Sequence, residues 1–136
     1  MTPVFADTFF FLALLNEKDA GHGVAQTFAA TSNRPIVTTA WVLTEVGDGC
    51  ATGGKRAAFL QLLSLLRAAP DVSIVPPSEE TFEKGLELFA RRPDKEWSLT
   101  DCISFVVMAD FGLADALTGD HHFEQAGFKL LLKPAN

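Results

Sequence analysis

Four of the 17 acidic residues occupy positions where a carboxylate is costly or specially placed. Asp7 lies between two apolar runs, and Glu45 falls on the apolar side of its helix, where an unpaired charge is expensive. Asp101 is in the first turn of a segment that is apolar almost all round, and Asp120 follows a short apolar strand. All-oxygen ligation by such a set suits Mg²⁺ or Mn²⁺. An ion held in this way can activate a water, neutralise phosphate charge and stabilise a leaving oxygen.

Each of these carboxylates also has a purely structural interpretation. Asp7 and Asp120 can end a strand or cap the helix that follows, and Glu45 can reach solvent from the boundary of its helix. Asp101 lies three residues after Ser98, which matches a capping box, and taken alone this interpretation is favoured for Asp101. The functional interpretation depends on the set. Four ionised carboxylates cannot share a pocket unless their pKa values rise or a cation joins them.

Alternating strands and helices must position these side chains. Apolar runs, turn residues and helical spacing predict strands at 3–6, 36–38, 72–75, 116–118 and 128–132. The same patterns predict helices at 8–15, 21–30, 55–69, 78–92 and 99–111, and a further helix that begins at 39 and stops at Gly53-Gly54. Thr8 is a possible cap of the first helix. This alternation favours an α/β fold with a parallel sheet covered on both faces. Asp7 and Asp120 would share one sheet edge, and helices beginning at that edge would bring Glu45 and Asp101 to it.

Composition limits the class of protein. The 136 residues suit a single domain spanning 1–136, and 48% hydrophobic residues predict a folded chain. A net charge of −6 argues against wrapping nucleic acid through many phosphate contacts, although it permits phosphate binding through a cation. Cys50 and Cys102 match no zinc spacing or disulfide framework, which favours a reduced, cytoplasmic setting. The apolar run at 9–15 is too short for a membrane span and has no basic segment before it, so no membrane association is expected.

The segments around the four carboxylates resemble a known family. They read FADT, TAWVLTEV, SLTDCISF and ALTGDHHF, and they stand at 5–8, 39–46, 98–105 and 116–123. The last segment continues as EQAGF to residue 128. Each segment alone is weakly diagnostic, but all four in this order and spacing resemble the PIN-domain ribonucleases. The resemblance is strongest to the small VapC-type toxins of bacterial toxin–antitoxin pairs.

That resemblance implies a three-layer α/β/α sandwich with a central parallel sheet and a metal-dependent endoribonuclease activity. It implies metal ligands at Asp7 and Asp101, with Glu45 and Asp120 completing the acidic cluster and Thr118 supplying a supporting hydroxyl. Hydrolysis would use Mg²⁺ or Mn²⁺ and leave a 5′-phosphate and a 3′-hydroxyl. The implied partners are an RNA substrate, a cognate antitoxin protein and a second copy of the chain in a homodimer.

Other side chains offer weaker candidates. His121 and His122 are possible metal ligands, but adjacent residues point in different directions, so a solvated or substrate-facing role is favoured. The basic pairs Lys55-Arg56 and Arg91-Arg92 are more simply solvated helix faces than contacts to an RNA backbone. Trp97 is expected in the core, with base stacking as the less favoured alternative.

Two functions from other classes compete with the nuclease. A receiver-like phosphoacceptor domain also gathers carboxylates around Mg²⁺, but it needs a second acid beside Asp7 and a buried lysine late in the chain. Lys129 and Lys133 have no clear place at such a site. A non-catalytic module that binds a basic partner through its acidic residues is the other alternative. Metal-dependent turnover of RNA separates this module from an enzyme.

Overall fold

The structure, a computed structural model, describes residues 1–132. Its centre is a five-stranded sheet in the order β3-β2-β1-β4-β5, and every strand pair is parallel. The strands are β1 (Val4–Ala6), β2 (Ile36–Thr39), β3 (Val72–Val75), β4 (Asp115–Leu117) and β5 (Lys129–Leu130). The predicted parallel sheet is therefore confirmed.

Seven helices in the described part of the chain flank this sheet. They are α1 (Thr8–Leu15), α2 (His22–Thr31), α3 (Ala40–Gly49), α4 (Arg56–Ala68), α5 (Glu79–Arg91), α6 (Leu99–Asp110) and α7 (His121–Gln125). Connections between parallel strands are right-handed, so the connections on the two sides of β1 place α1–α4 on one face and α5–α7 on the other. The result is the expected α/β/α sandwich.

The core surrounds β1 and α6. Val4, Phe5 and Ala6 are fully buried, as expected for a central parallel strand covered on both faces. Helix α6 packs closely on α5 at Gly85, where an added Cβ would lie only 2.4 Å from Cγ1 of Ile103. This close approach fixes α6 against its neighbour, and α6 carries Asp101 in its first turn.

The strand order creates a crevice between the carboxyl ends of β1 and β4. From β1 the chain moves to β2 on one side, whereas from β4 it moves to β5 on the other. Such a switch point is where open α/β sheets leave room for a ligand, because the connecting loops diverge there. Asp7 directly follows β1, and Asp120 lies in the loop after β4.

Most sequence-based boundaries hold to within a few residues, but two local predictions are wrong. Thr8 is not a cap: Asp7 occupies the N-cap position, makes no side-chain capping hydrogen bond, and leaves Thr8 as the first helical residue. Helix α3 ends at Gly49, before Gly53-Gly54. Its last turn contains two glycines, which stabilise a helix poorly, and the Cys50 amide closes it by bonding to the carbonyls of Val46 and Gly47.

Two further expectations concern cysteines and membranes. Cys50 and Cys102 are both free thiols in the buried interior, so neither forms a disulfide here. A cytoplasmic setting stays a prediction. Within residues 1–132, no helix has the length and apolar character required to cross a membrane.

Candidate active site

Asp7 is the most buried of the four carboxylates, with 5% of its surface exposed. It leaves β1 at the point where Ala6 pairs with Leu117 of β4, so its neighbour across the sheet is Thr118. The Thr118 hydroxyl donates a hydrogen bond to Oδ2 of Asp7 at 3.1 Å. This hydrogen bond holds the carboxylate between the ends of β1 and β4.

Asp120 is tied to the same threonine. The Asp120 amide donates to Oγ1 of Thr118 at 3.0 Å, so one fully buried hydroxyl connects the ends of two neighbouring strands. Oδ1 of Asp120 accepts from the His122 amide at 2.9 Å and caps α7. The structural interpretation of Asp120 is therefore confirmed, while its side chain stays 30% exposed at the crevice.

Glu45 reaches the site from α3. The Thr39 hydroxyl caps this helix by accepting from the Val42 amide. The helix therefore starts at the carboxyl end of β2, close to the predicted position. Glu45 is half-buried, and Oε1 accepts a short hydrogen bond from the hydroxyl of Thr8. Because Thr8 follows Asp7 in the chain, this contact brings the Glu45 carboxylate beside Asp7.

Asp101 both caps α6 and faces the other acids. The predicted capping box is present: the Asp101 amide donates to Oγ of Ser98 at 3.0 Å, and Oδ2 of Asp101 accepts from the Ser98 amide at 3.2 Å. Asp101 is only 9% exposed, and its charge acts on Asp7 and Asp120. Capping and membership of the acidic group are thus compatible, because one carboxylate has two oxygens with free lone pairs.

Burial dominates the electrostatics of the site. It is the main reason why the pKa of Asp7 is raised to about 7. The negative charges of Asp101 and Glu45 also raise this pKa, whereas the hydrogen bonds from the Thr8 amide and the Thr118 hydroxyl lower it. Burial also raises the pKa of Asp101, as does the charge of Asp120, while the nearby His122 opposes the shift. Both carboxyl groups would ionise more readily if a cation shared their space.

Within residues 1–132, no Lys or Arg nitrogen lies within ion-pair distance of these four carboxylates. Buried carboxylates lacking such a partner provide an oxygen-rich donor set, which fits a hard divalent cation. The tightest donor group among the described residues, with all ligand atoms within 4.8 Å of one another, is nevertheless Asp120, His121 and His122. In the described part of the chain, the four acids are therefore less closely grouped than these three residues.

Two residues of this site were not expected from the sequence. Thr8 was interpreted as a cap, yet it holds Glu45. For His122 a solvated or substrate-facing role was favoured, yet its Nδ1 lies 3.3 Å from Oδ2 of Asp101 and 3.4 Å from Oδ1 of Asp120. The only sequence signal was their closeness to candidate acids: Thr8 directly follows Asp7, and His122 lies two residues after Asp120.

Arg91 and Arg92 lie on the surface, as expected for solvated side chains, and Trp97 lies in the core, as favoured from the sequence. Arg91 pairs with Glu87 on the surface, and Arg92 pairs with Asp94 at 2.9 Å. Trp97 is 7% exposed, and its Nε1 donates to the Gln125 side chain at 3.0 Å. A ring buried to this extent has no free face for a base.

The fold and the acidic crevice together define a class of protein. The sequence matches the PIN domain family over residues 4–129, and the chain therefore belongs to the PIN-domain family. The resemblance seen in the four segments is confirmed.

A receiver-like site would need a buried lysine near the acids. Lys129 instead lies on β5 opposite Asp115, in the strand register at the amino end of β4, on the sheet edge away from the acids. Lys133 lies outside the described residues.

Individual proteins and solved structures are similar to this chain over most of its length. The 23S rRNA-specific endonuclease VapC20 of Mycobacterium tuberculosis (strain CDC 1551 / Oshkosh) is 32% identical over 129 residues, covering 92% of this chain and 95% of that protein. The crystal structure of M. tuberculosis VapC20, described as a sarcin-ricin loop cleaving toxin, matches with a TM-score of 0.83 and 29% identity, covering 92% and 95% of the two chains. VapBC2 from Rickettsia felis, bound to promoter DNA, shares the fold with a TM-score of 0.67 and 14% identity over 95% of this chain and 97% of that chain.

Thr118→Val tests the hydroxyl that joins the two strand ends. The variant loses a bond to Asp7 and leaves the Asp120 amide without its acceptor, so we expect a loss of about 1–3 kcal/mol in unfolding free energy. The loss should grow above pH 7, where Asp7 is charged and most needs the donor. Thr38→Val is the matched control, because Thr38 is equally buried but donates only to the Ala6 carbonyl.

Urea unfolding in chelator at pH 5 and pH 8 gives both values. We expect the cost of Thr38→Val to be the same at both pH values. Equal pH dependence in the two variants would show that the Thr118 hydroxyl does not support the charged form of Asp7.

Proposed function

We propose that this chain is an endoribonuclease that hydrolyses RNA phosphodiester bonds with the help of Mg²⁺ or Mn²⁺. The observation that carries the proposal is the buried carboxyl group of Asp7, whose pKa is raised to about 7. It lies beside Asp101, a second carboxyl group whose pKa is also raised by burial. A strongly perturbed acid in a crevice at the switch point of a parallel sheet is typical of a functional site. Membership of the PIN-domain family and the endonuclease relative support the same conclusion.

The four carboxylates and Thr118 have different proposed roles. Asp7 and Asp101 would hold the ion, while Glu45 and Asp120 orient water molecules or hold a second ion. When bound, the cation supplies Lewis-acid stabilisation of the phosphate and of the leaving oxygen. Thr118 fixes Asp7 by its hydrogen bond. Because these groups come from strand ends and from the first two turns of α3 and α6, the fold holds them in place before RNA binds. Such preorganisation lowers the barrier.

Ribosomal RNA is the substrate that we propose first. The relative with 32% identity is named for 23S rRNA, and its structure is described as that of a toxin cleaving the sarcin-ricin loop. A net charge of −6 gives this chain little general attraction for RNA. A compact, folded RNA loop that presents one phosphate to the crevice fits such a protein better than an extended strand does.

The proposal is tested by incubating the chain with ribosomes and with total RNA, with and without Mg²⁺, and by mapping the new ends. We expect one dominant cut in 23S rRNA, with a 5′-phosphate, and no cut in chelator or with Asp7→Asn. Asp71→Asn removes an exposed acid and should cut normally. Cleavage at other RNA sites would refute the substrate but not the enzyme. Absence of metal-dependent cleavage of any RNA would favour the non-catalytic acidic module.

We also propose an antitoxin and a second copy of the chain as protein partners. A basic side chain from an antitoxin could enter the acidic crevice and displace the ion. Phe82 and Phe89, which are 38% and 48% exposed on one side of α5, offer an apolar surface for self-association. Co-expression with the product of the neighbouring reading frame, followed by size determination, should yield a complex without nuclease activity. A stable complex with undiminished activity would contradict inhibition at the crevice.

A further inference from the structure

A mixed group of nitrogen and oxygen donors lies at the edge of the acidic crevice. It consists of Asp120, His121 and His122, whose ligand atoms all lie within 4.8 Å of one another. Oδ1 of Asp120 is 3.7 Å from Nδ1 of His121 and 3.4 Å from Nδ1 of His122. The two imidazole rings are adjacent, with centroids 4.4 Å apart. This donor set differs in chemistry from the four carboxylates.

These separations fit a transition-metal ion. Metal–nitrogen and metal–oxygen bonds of about 2.0–2.2 Å at tetrahedral angles place neighbouring ligand atoms roughly 3.3–3.6 Å apart. The measured distances are close to that value before any side chain moves. Two imidazoles and one carboxylate from a protein, with an open fourth position, are a common zinc ligand set.

An unpartnered nitrogen independently points to a missing ligand. Nδ1 of His122 is buried and makes no hydrogen bond, although carboxylate oxygens of Asp101 and Asp120 lie 3.3 Å and 3.4 Å away. A buried polar atom without a partner is costly. A metal ion would satisfy the nitrogen and attract both neighbouring carboxylates.

The donor group is largely preformed. Asp120 is fixed because its Oδ1 accepts from the His122 amide and its own amide donates to Thr118. Phe123, which is fully buried, anchors α7 on the core and thereby orients the residues before it. The His121 side chain is 71% exposed, so it is free to adjust its rotamer to complete the set.

We propose that Asp120, His121 and His122 form a binding site for a transition-metal ion of the zinc type. Imidazole ligands favour Zn²⁺, Ni²⁺ or Cu²⁺ over Mg²⁺, so this site and the acidic crevice select different ions. Asp120 belongs to both. An ion bound to the histidines therefore withdraws Asp120 from the acidic group and reduces its capacity for Mg²⁺. This consequence, inhibition of cleavage by zinc, rests on the proposed nuclease function, whereas the binding site does not.

Calorimetric titration of Zn²⁺ into the tag-free chain, in excess Mg²⁺, tests the site directly. Excess Mg²⁺ competes for the all-carboxylate positions, so the remaining zinc binding reports the histidines. We expect one Zn²⁺ per chain, with affinity reduced on the order of tenfold or more in His121→Gln. His22→Gln is the matched control, since His22 bonds to the Ala13 carbonyl in another part of the fold and should bind zinc like the wild type.

Equal zinc affinity in the wild type and His121→Gln would overturn the site, as would the absence of zinc binding. In an RNA cleavage assay, Zn²⁺ should inhibit the wild type in excess Mg²⁺ and inhibit His121→Gln much less, while the two cut equally without zinc. Equal inhibition of the two would overturn the regulatory consequence. A chain that binds zinc through His121 but never cuts RNA would refute the proposed nuclease and support the metal site.

Discussion

Asp101→Asn is expected to lower RNA cleavage by a factor on the order of 10² or more, with little change in the stability of the metal-free protein. The effect on activity is large because the variant loses a negative charge in a buried site, where electrostatic interactions are poorly screened. Asparagine keeps the size of the side chain and one acceptor oxygen. The hydrogen bond from the Ser98 amide can therefore persist.

Stability should be near the wild-type value, or higher, for a specific reason. In the absence of metal, the charge of Asp101 opposes the charges of Asp7 and Asp120. Removing it relieves this repulsion, which compensates for a slightly weaker cap. The two roles of Asp101 are therefore separable by one substitution that preserves the geometry.

Ser98→Ala is the complementary control. It removes the hydroxyl that accepts from the Asp101 amide, and it leaves the carboxylate in place. We expect it to cost about 1 kcal/mol of unfolding free energy with cleavage reduced far less than in Asp101→Asn. Cleavage rates with Mg²⁺ and urea unfolding in chelator give the two values. If Asp101→Asn were destabilised in chelator but cut RNA normally, Asp101 would be a cap and no more.

The metal-free protein should lose stability as the pH rises from about 4 to about 7. The pKa of Asp7 is raised from 3.8 to about 7 in the folded state, mainly by burial. Between those values the folded chain holds a proton that the unfolded chain has released, so raising the pH favours unfolding. The Asp7 contribution amounts to roughly 4 kcal/mol when complete, at 1.36 kcal/mol per pKa unit.

Mg²⁺ or Mn²⁺ should reverse this loss. A cation binds the ionised form of Asp7, so its stabilising effect should be small at pH 5 and large at pH 8. Asp7→Asn cannot ionise at this position, and it should show both a weaker pH dependence in chelator and a smaller response to metal. Asp71→Asn, which alters an exposed acid, should behave like the wild type in both respects.

Urea unfolding of the three proteins at pH 5, 6, 7 and 8, in chelator and in Mg²⁺, provides the comparison. A wild-type chain whose metal-free stability is the same at pH 5 and pH 8, and equal to that of Asp7→Asn, would show that Asp7 ionises normally. The buried-acid argument for the metal site would then fail. A pH-dependent loss that Mg²⁺ does not reverse would leave Asp7 buried but would remove it from the ion.

Local features of the site were accessible from the sequence because short-range rules govern them. The capping box of Ser98 and Asp101 is recognisable by residue type and spacing, and it fixes where α6 begins. The start of α3 was also placed correctly at Thr39. The fully apolar run Val4–Ala6 indicates a strand buried on both faces. Placing Asp7 and Asp120 at one sheet edge then needed only the assumption that their strands are parallel.

Where local signals were ambiguous, prediction failed. Thr8 has the residue type of a cap, and only the position of α3 shows that its hydroxyl is used by Glu45 instead. The end of α3 was predicted too late because the Gly53-Gly54 pair is a strong signal for the end of a helix. Gly47 and Gly49 end the helix earlier, because each of them lowers its stability and their effects add up.

The sequence by itself determined the alternation of strands and helices and the capping box at the start of α6, and it identified four acids as candidate ligands for an ion. It did so because hydrophobic periodicity and capping act within a few residues. Only the tertiary structure decided that β1 and β4 are neighbours at a switch point, that one Thr118 hydroxyl joins Asp7 to Asp120, and that His122 lies against two acids. Those contacts join residues far apart in the chain, and their cost or benefit arises from burial, which exists only after the sheet and helices have packed.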